Sequence, residues 1–69
     1  MGKIKLTPRQ IQIVTLMKQG HRSERIANEL EIMPRTIGTH KGRLKARLNL
    51  SSKINDYVLV QKCIELKLI

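Results

Sequence analysis

The chemistry of this chain is concentrated in mid-sequence. From Arg35 to Arg47 there are five cations (Arg35, Lys41, Arg43, Lys45 and Arg47), and no acidic residue occurs from Ile32 to Asn55. Ile37, Leu44 and Leu48 fall at i, i+7 and i+11, with His40 and Lys41 between them, which is the spacing of one inward-facing helical stripe. A helix with a buried stripe and an acid-free basic surface can lie in the groove of a polyanion. Gly38 and Gly42 stand four apart on one face of it. In a helix interior each costs about 1 kcal/mol relative to Ala. Two readings follow: the backbone approaches a nucleic-acid edge or phosphates closely there, with Thr39 and Lys45 beside it, or the helix is a weak reader that binds mostly without sequence preference.

Other chemistries find little support. His40 is a lone histidine with no cysteine or carboxylate at a useful spacing, and His21 sits in a connection. Asp56 and Glu65 are nine apart and form neither an acid–base pair nor a metal pair. Cys63 is the only cysteine, which excludes an internal disulfide and a cysteine-based zinc site and suits a reducing compartment. There is no nucleophile–base set and no phosphate loop. The chain reads as a non-enzyme without cofactor or metal, and no small-molecule ligand is expected.

The totals narrow the partner. The 69 residues carry 14 Lys and Arg against 5 Asp and Glu, a net charge of +9. That excess makes a field attractive to polyanions. Nucleic acid leads, ahead of an anionic membrane surface or an acidic protein. Tyr57 is the only aromatic residue. Single-strand binders and RNA-recognition sheets stack bases on aromatic side chains, so duplex DNA is favoured. The start Met1-Gly2-Lys3-Ile4-Lys5 is charged, lacks the apolar run of a signal peptide and lacks the serine or threonine of a myristoylation pattern. No segment is long enough to span a membrane. Cytoplasmic placement, in a bacterial or phage cytosol and associated with the nucleoid, is expected.

Four helical segments are expected to position these residues, forming one domain over 1–69. The first opens at Thr7-Pro8, with Thr7 as N-cap, Pro8 at N1 and Gln10 completing a capping box; Leu6 and Ile11 suit a hydrophobic staple, Ile13, Val14 and Met17 line a face, and Gly20 ends it. The second runs from about Ser23 to Leu30 with Ile26, Ala27 and Leu30 inward. The third runs over about 34–48 from Pro34, with Met33 a poor cap, and ends where Asn49 can take the left-handed conformation. The fourth is expected over about 53–67, capped by Ser51 or Ser52. Its apolar residues, among them Tyr57, Val58, Leu59, Val60, Cys63 and Ile64, cover more than one stripe, and the surplus points to a self-association face.

The ordered set Leu6-Thr7-Pro8-Arg9 opening a helix, Gly20 closing it, Ile26-Ala27 before Leu30, Thr36-Ile37 with His40, and a last helix after Ser52 resembles the LuxR-type (GerE-type) helix-turn-helix domain over about residues 6–62. The resemblance implies an all-α fold of four helices, with helices two and three forming the helix-turn-helix, helix three in the major groove of DNA and helix four making a dimer contact. Such domains are usually the C-terminal output of longer regulators; this chain is read either as a stand-alone domain or as a piece of one. Departures are visible. Gln10 and Gln12 stand where the family usually has Glu, Arg22 where Ser or Thr opens helix two, Arg25 where Glu is usual, and Met33 where Ser or Thr caps helix three. The two positions whose lysines often touch DNA in the family are Gly38 and Gly42.

The expected function is therefore a duplex-DNA-binding transcription regulator. The expected DNA-facing set is Arg35, Thr36, Gly38, Thr39, Lys41, Gly42, Arg43 and Lys45, with Arg47 nearer the inward side. The expected homodimer surface is Val58, Leu59 and Lys62: the adjacent Val58 and Leu59 cannot both face one core. Two alternatives stay open, a small interaction module that pairs with a full-length relative and blocks it, and a basic protein that binds DNA without sequence preference.

Overall fold

The computed structural model describes residues 4–69; the reading of Met1, Gly2 and Lys3 as neither leader nor acylation signal falls outside them. Four helices follow in order: α1 (Pro8–Lys18), α2 (Ser23–Leu30), α3 (Pro34–Arg47) and α4 (Asp56–Glu65). The described residues contain no strand, so the fold is all-α as expected.

The starts follow local side-chain chemistry. At α1 the box is closed in both directions: the Gln10 amide donates to Thr7 Oγ1 (3.1 Å) and the Thr7 amide to Gln10 Oε1 (3.0 Å). Met33 gives α3 no side-chain cap. The fourth helix departs from expectation. Ser51 is spent on a turn of its own, accepting from the Lys53 amide through Oγ (3.1 Å) and from the Ile54 amide through its carbonyl (3.2 Å). The cap passes to Asn55, whose Oδ1 accepts from the Val58 amide (2.9 Å), and α4 starts three residues later than Lys53.

All four helices end the same way. A residue in the left-handed region follows each: Gly20, Glu31, Asn49 and Lys67. The next amide reaches back five residues, His21 to Leu16, Ile32 to Ala27, Leu50 to Lys45 and Leu68 to Cys63, at 2.7–3.1 Å. This is the Schellman closure, which satisfies carbonyls the helix leaves open. In three cases the residue after the left-handed one is apolar and packs on the core: Ile32, Leu50 and Leu68. That contact explains why Glu31 and Lys67, neither a favoured left-handed residue, can end α2 and α4.

The core is Ile13, Val14 and Met17 from α1, Ile26 and Ala27 from α2, Ile37, Leu44 and Leu48 from α3 with its C-terminal residue, and Leu59, Val60 and Cys63 from α4. α1 packs against all three other helices, α2 and α3 lie against each other, and α4 docks on α1 rather than on α3. One expected interface residue is corrected here. Leu59 is fully buried, so it belongs to the core of a single chain and not to a dimer surface. Its neighbour Val58 faces out, with Tyr57, Ile64 and Leu66 also exposed. Lys62 is half-buried and lies 3.6 Å from Glu65.

Candidate nucleic-acid interface

Because Ile37, Leu44 and Leu48 turn inward, the opposite face of α3 is presented to solvent. Arg35, Gly38, Thr39, Gly42, Arg43, Ala46 and Arg47 are exposed. Small residues run down the middle of this face. A Cβ built on Gly38 or Gly42 meets nothing within 4 Å, and neither glycine has a positive φ. Nothing among the described residues therefore calls for glycine at these positions. Thr39 donates its hydroxyl back to the Arg35 carbonyl (3.3 Å), which occupies the polar end of the side chain and leaves the methyl free. Thr36 is half-buried.

The cations divide into two groups. The three ion pairs of the described residues are Arg25–Glu29, Lys41–Asp56 and Lys62–Glu65, so Arg35, Arg43 and Arg47 have no acidic partner among them. The two lysines of α3 turn toward protein acceptors. Lys45 Nζ approaches the Ser52 carbonyl at 3.4 Å. Lys41 Nζ donates to Ser23 Oγ and to Asp56 Oδ2, both at 2.7 Å, and its side chain is only 12% exposed. Lys41 is thus a correction to the DNA-facing set, since its ammonium is engaged within the molecule. Arg47 is a correction in the other direction: it is exposed, not inward. Ala46, outside the expected set, continues the exposed series of small residues four places beyond Gly42.

Elsewhere the described residues hold no group of three or more His, Cys, Asp or Glu able to bind a metal. Among the described residues no helix is long and apolar enough to cross a membrane. Cys63 is a free, buried thiol whose pKa is raised by desolvation.

A short helix, a tight left-handed connection at Glu31-Ile32-Met33 and a longer helix with a solvent-facing basic side define a helix-turn-helix DNA-binding domain. The family model described as bacterial regulatory proteins, luxR family (GerE), matches residues 5–60, and the chain belongs to that family. Members of this family are DNA-binding transcription regulators, not enzymes. Similar curated proteins include the "Oxygen regulatory protein NreC" of two Staphylococcus epidermidis strains, each 32% identical over an alignment of 62 residues that covers 87% of this chain and 28% of the relative. The protein of that name from Staphylococcus carnosus is 31% identical over 87% of this chain and 29% of its own length. The chain thus spans under a third of the length of these relatives. No solved structure matches it.

Proposed function

We propose that α3 enters the major groove of duplex DNA through the face formed by Arg35, Gly38, Thr39, Gly42, Arg43 and Ala46, with Thr36, Lys45 and Arg47 at its margins. The observation that carries this reading is a solvent-facing side with small residues along its middle and three arginines that have no acidic partner among the described residues. The arginines supply phosphate contacts or bidentate contacts to guanine, and the Thr39 methyl suits a thymine methyl. The glycines allow the helix backbone to come nearer to the base edges than a lysine at either position would. Two copies bind together through the outer side of α4, with Val58 at the contact and Lys62 beside it, on half-sites about one helical turn apart. The exposed Tyr57, Val58, Ile64 and Leu66 support that surface. The regulator works in the bacterial cytoplasm, on the nucleoid.

Two measurements test this. Duplex affinity should fall steeply with salt, with a log–log slope of about −0.9 per phosphate contacted and roughly four to eight contacts per dimer. Selection from a random duplex pool should return paired half-sites. A flat salt response would overturn the electrostatic reading, and a pool with no enriched sequence would leave binding without readout.

A further inference from the structure

The polar node at Lys41 has no part in the interface just described. Lys41 lies midway along α3, on the side of the helix that carries Ile37 and Leu44. Its ammonium bridges Ser23, the first residue of α2, and Asp56, the first residue of α4, at 2.7 Å each. These are the only side-chain to side-chain hydrogen bonds between different helices among the described residues. They join elements that otherwise meet unequally. α3 packs closely on α2, but α4 docks on α1 and barely meets α3 through its backbone. The ammonium is well covered, whereas Asp56 is about half exposed. Moving Lys41 therefore strips a covered charge of its partners, while Asp56 can fall back on water.

We propose that Lys41 is a positioning residue, with Ser23 and Asp56 as its holders, which sets the reading helix against the start of α4 so that two α3 helices in a paired complex keep one spacing. The proposal rests on the DNA-binding reading above and adds to it a link between the reading helix and the helix expected to dimerise. It also assigns to Asp56 a sign of effect that charge counting gets wrong. Asp56→Asn raises the net charge by one and releases Lys41. If Lys41 simply served as a phosphate contact held in check by Asp56, the variant would bind duplex more tightly and with a steeper salt slope. If the node positions α3, the variant binds more weakly with the slope unchanged.

The test measures duplex affinity across a salt series for the wild type, Asp56→Asn, Lys41→Met, the double variant, Asp56→Glu and Ser23→Ala, each first shown by a thermal melt to fold. Asp56→Asn and Lys41→Met should each lose about fivefold on a paired site, and the double variant should lose no more than either, because the groups act as one network. Asp56→Glu keeps the charge at the start of α4 and should recover most of the loss. Ser23→Ala, which alters no charge, should move the same way by about twofold, as expected for removing one of the two hydrogen bonds of the node. Tighter binding by Asp56→Asn, a shallower slope for Lys41→Met by about 0.9, or wild-type affinity in both overturns the proposal. Amide chemical shifts recorded without DNA give a second readout. In Asp56→Asn they should change at Arg35, Thr39 and Arg43 on α3; changes confined to 54–60 overturn the node. If the wild type fails to bind duplex at all, the DNA reading fails and these shifts still decide whether the node positions α3.

Discussion

Replacing Gly38 and Gly42 together by alanine separates folding from binding. Both lie inside α3, neither has a positive φ, and an added Cβ meets nothing within 4 Å. Each replacement should therefore return the helix-propensity cost of glycine, about 1 kcal/mol, partly by restricting the unfolded chain. The pair should stabilise the fold by about 2 kcal/mol, and at about 4–8 °C per kcal/mol for a domain of this size the melting temperature should rise by roughly 8–16 °C. Binding should move the opposite way. If the α3 backbone approaches the DNA closely at these glycines, two methyl groups hold it off, and affinity for a selected site should drop by about tenfold, or about 1.4 kcal/mol. Affinity for unrelated duplex, set by the arginines, should change little. Thermal melts followed by circular dichroism give the first quantity, and fluorescence anisotropy on selected and scrambled duplexes gives the second. A higher melting temperature with unchanged site affinity would refute close approach. A melting temperature that fails to rise would refute the claim that the fold does not need these glycines.

Two further outcomes follow from α4. Leu59→Ala should cost about 2–5 kcal/mol, since it empties a fully buried site, whereas Val58→Asp should change stability by no more than about 0.5 kcal/mol and weaken a paired site far more than a single half-site; sedimentation and melts of both variants check this, and equal effects of Val58→Asp on both kinds of site would remove Val58 from the dimer surface. The Cys63 thiol, covered and with its pKa raised by desolvation, should react with a thiol reagent only as the fold opens, so labelling should be slow in buffer and immediate in denaturant. Because its native pKa lies above the unfolded value, its contribution to stability is complete below the ordinary thiol range and is lost as pH rises through that range toward the native value. Alkaline melts should show the decline, and a rise in stability over the same window would contradict it.

Much of this fold is legible from local chemistry. Thr7-Pro8-Arg9-Gln10 names its own cap, and Gly20 and Asn49 mark stops that occur where expected. The ends at Glu31 and Lys67 are harder, because no residue type there favours a left-handed backbone. The signal lies one place later, in Ile32 and Leu68, whose burial closes the turn. The start of α4 lies later than its sequence suggests because Ser51, Ser52 and Asn55 are all competent caps, and only the turn built on Ser51 decides among them. On α4 the adjacent Val58 and Leu59 do face different ways, but periodicity alone does not say which one faces the core.

The cation assignments show where a linear count stops working. No acidic residue occurs from Ile32 to Asn55, yet Asp56 stands just past that window and reaches Lys41 through space. The register already held the warning: Lys41 is four residues after Ile37 and three before Leu44, both fully buried. A lysine at such a position must run its stem along the core and find an acceptor at its tip. Lys45 follows in milder form at the Ser52 carbonyl. What remains on the outer face of α3 is all guanidinium, at Arg35, Arg43 and Arg47. That sorting has a physical consequence. An ammonium is a compact point charge that suits a single acid held within the fold, whereas a guanidinium presents a planar fork of donors that matches two oxygens of one phosphate or the O6 and N7 of one guanine. On the proposed DNA-binding reading, the basic residues left for the partner are thus the type able to orient the helix as well as attract it, and they flank glycines whose added Cβ would meet nothing within 4 Å.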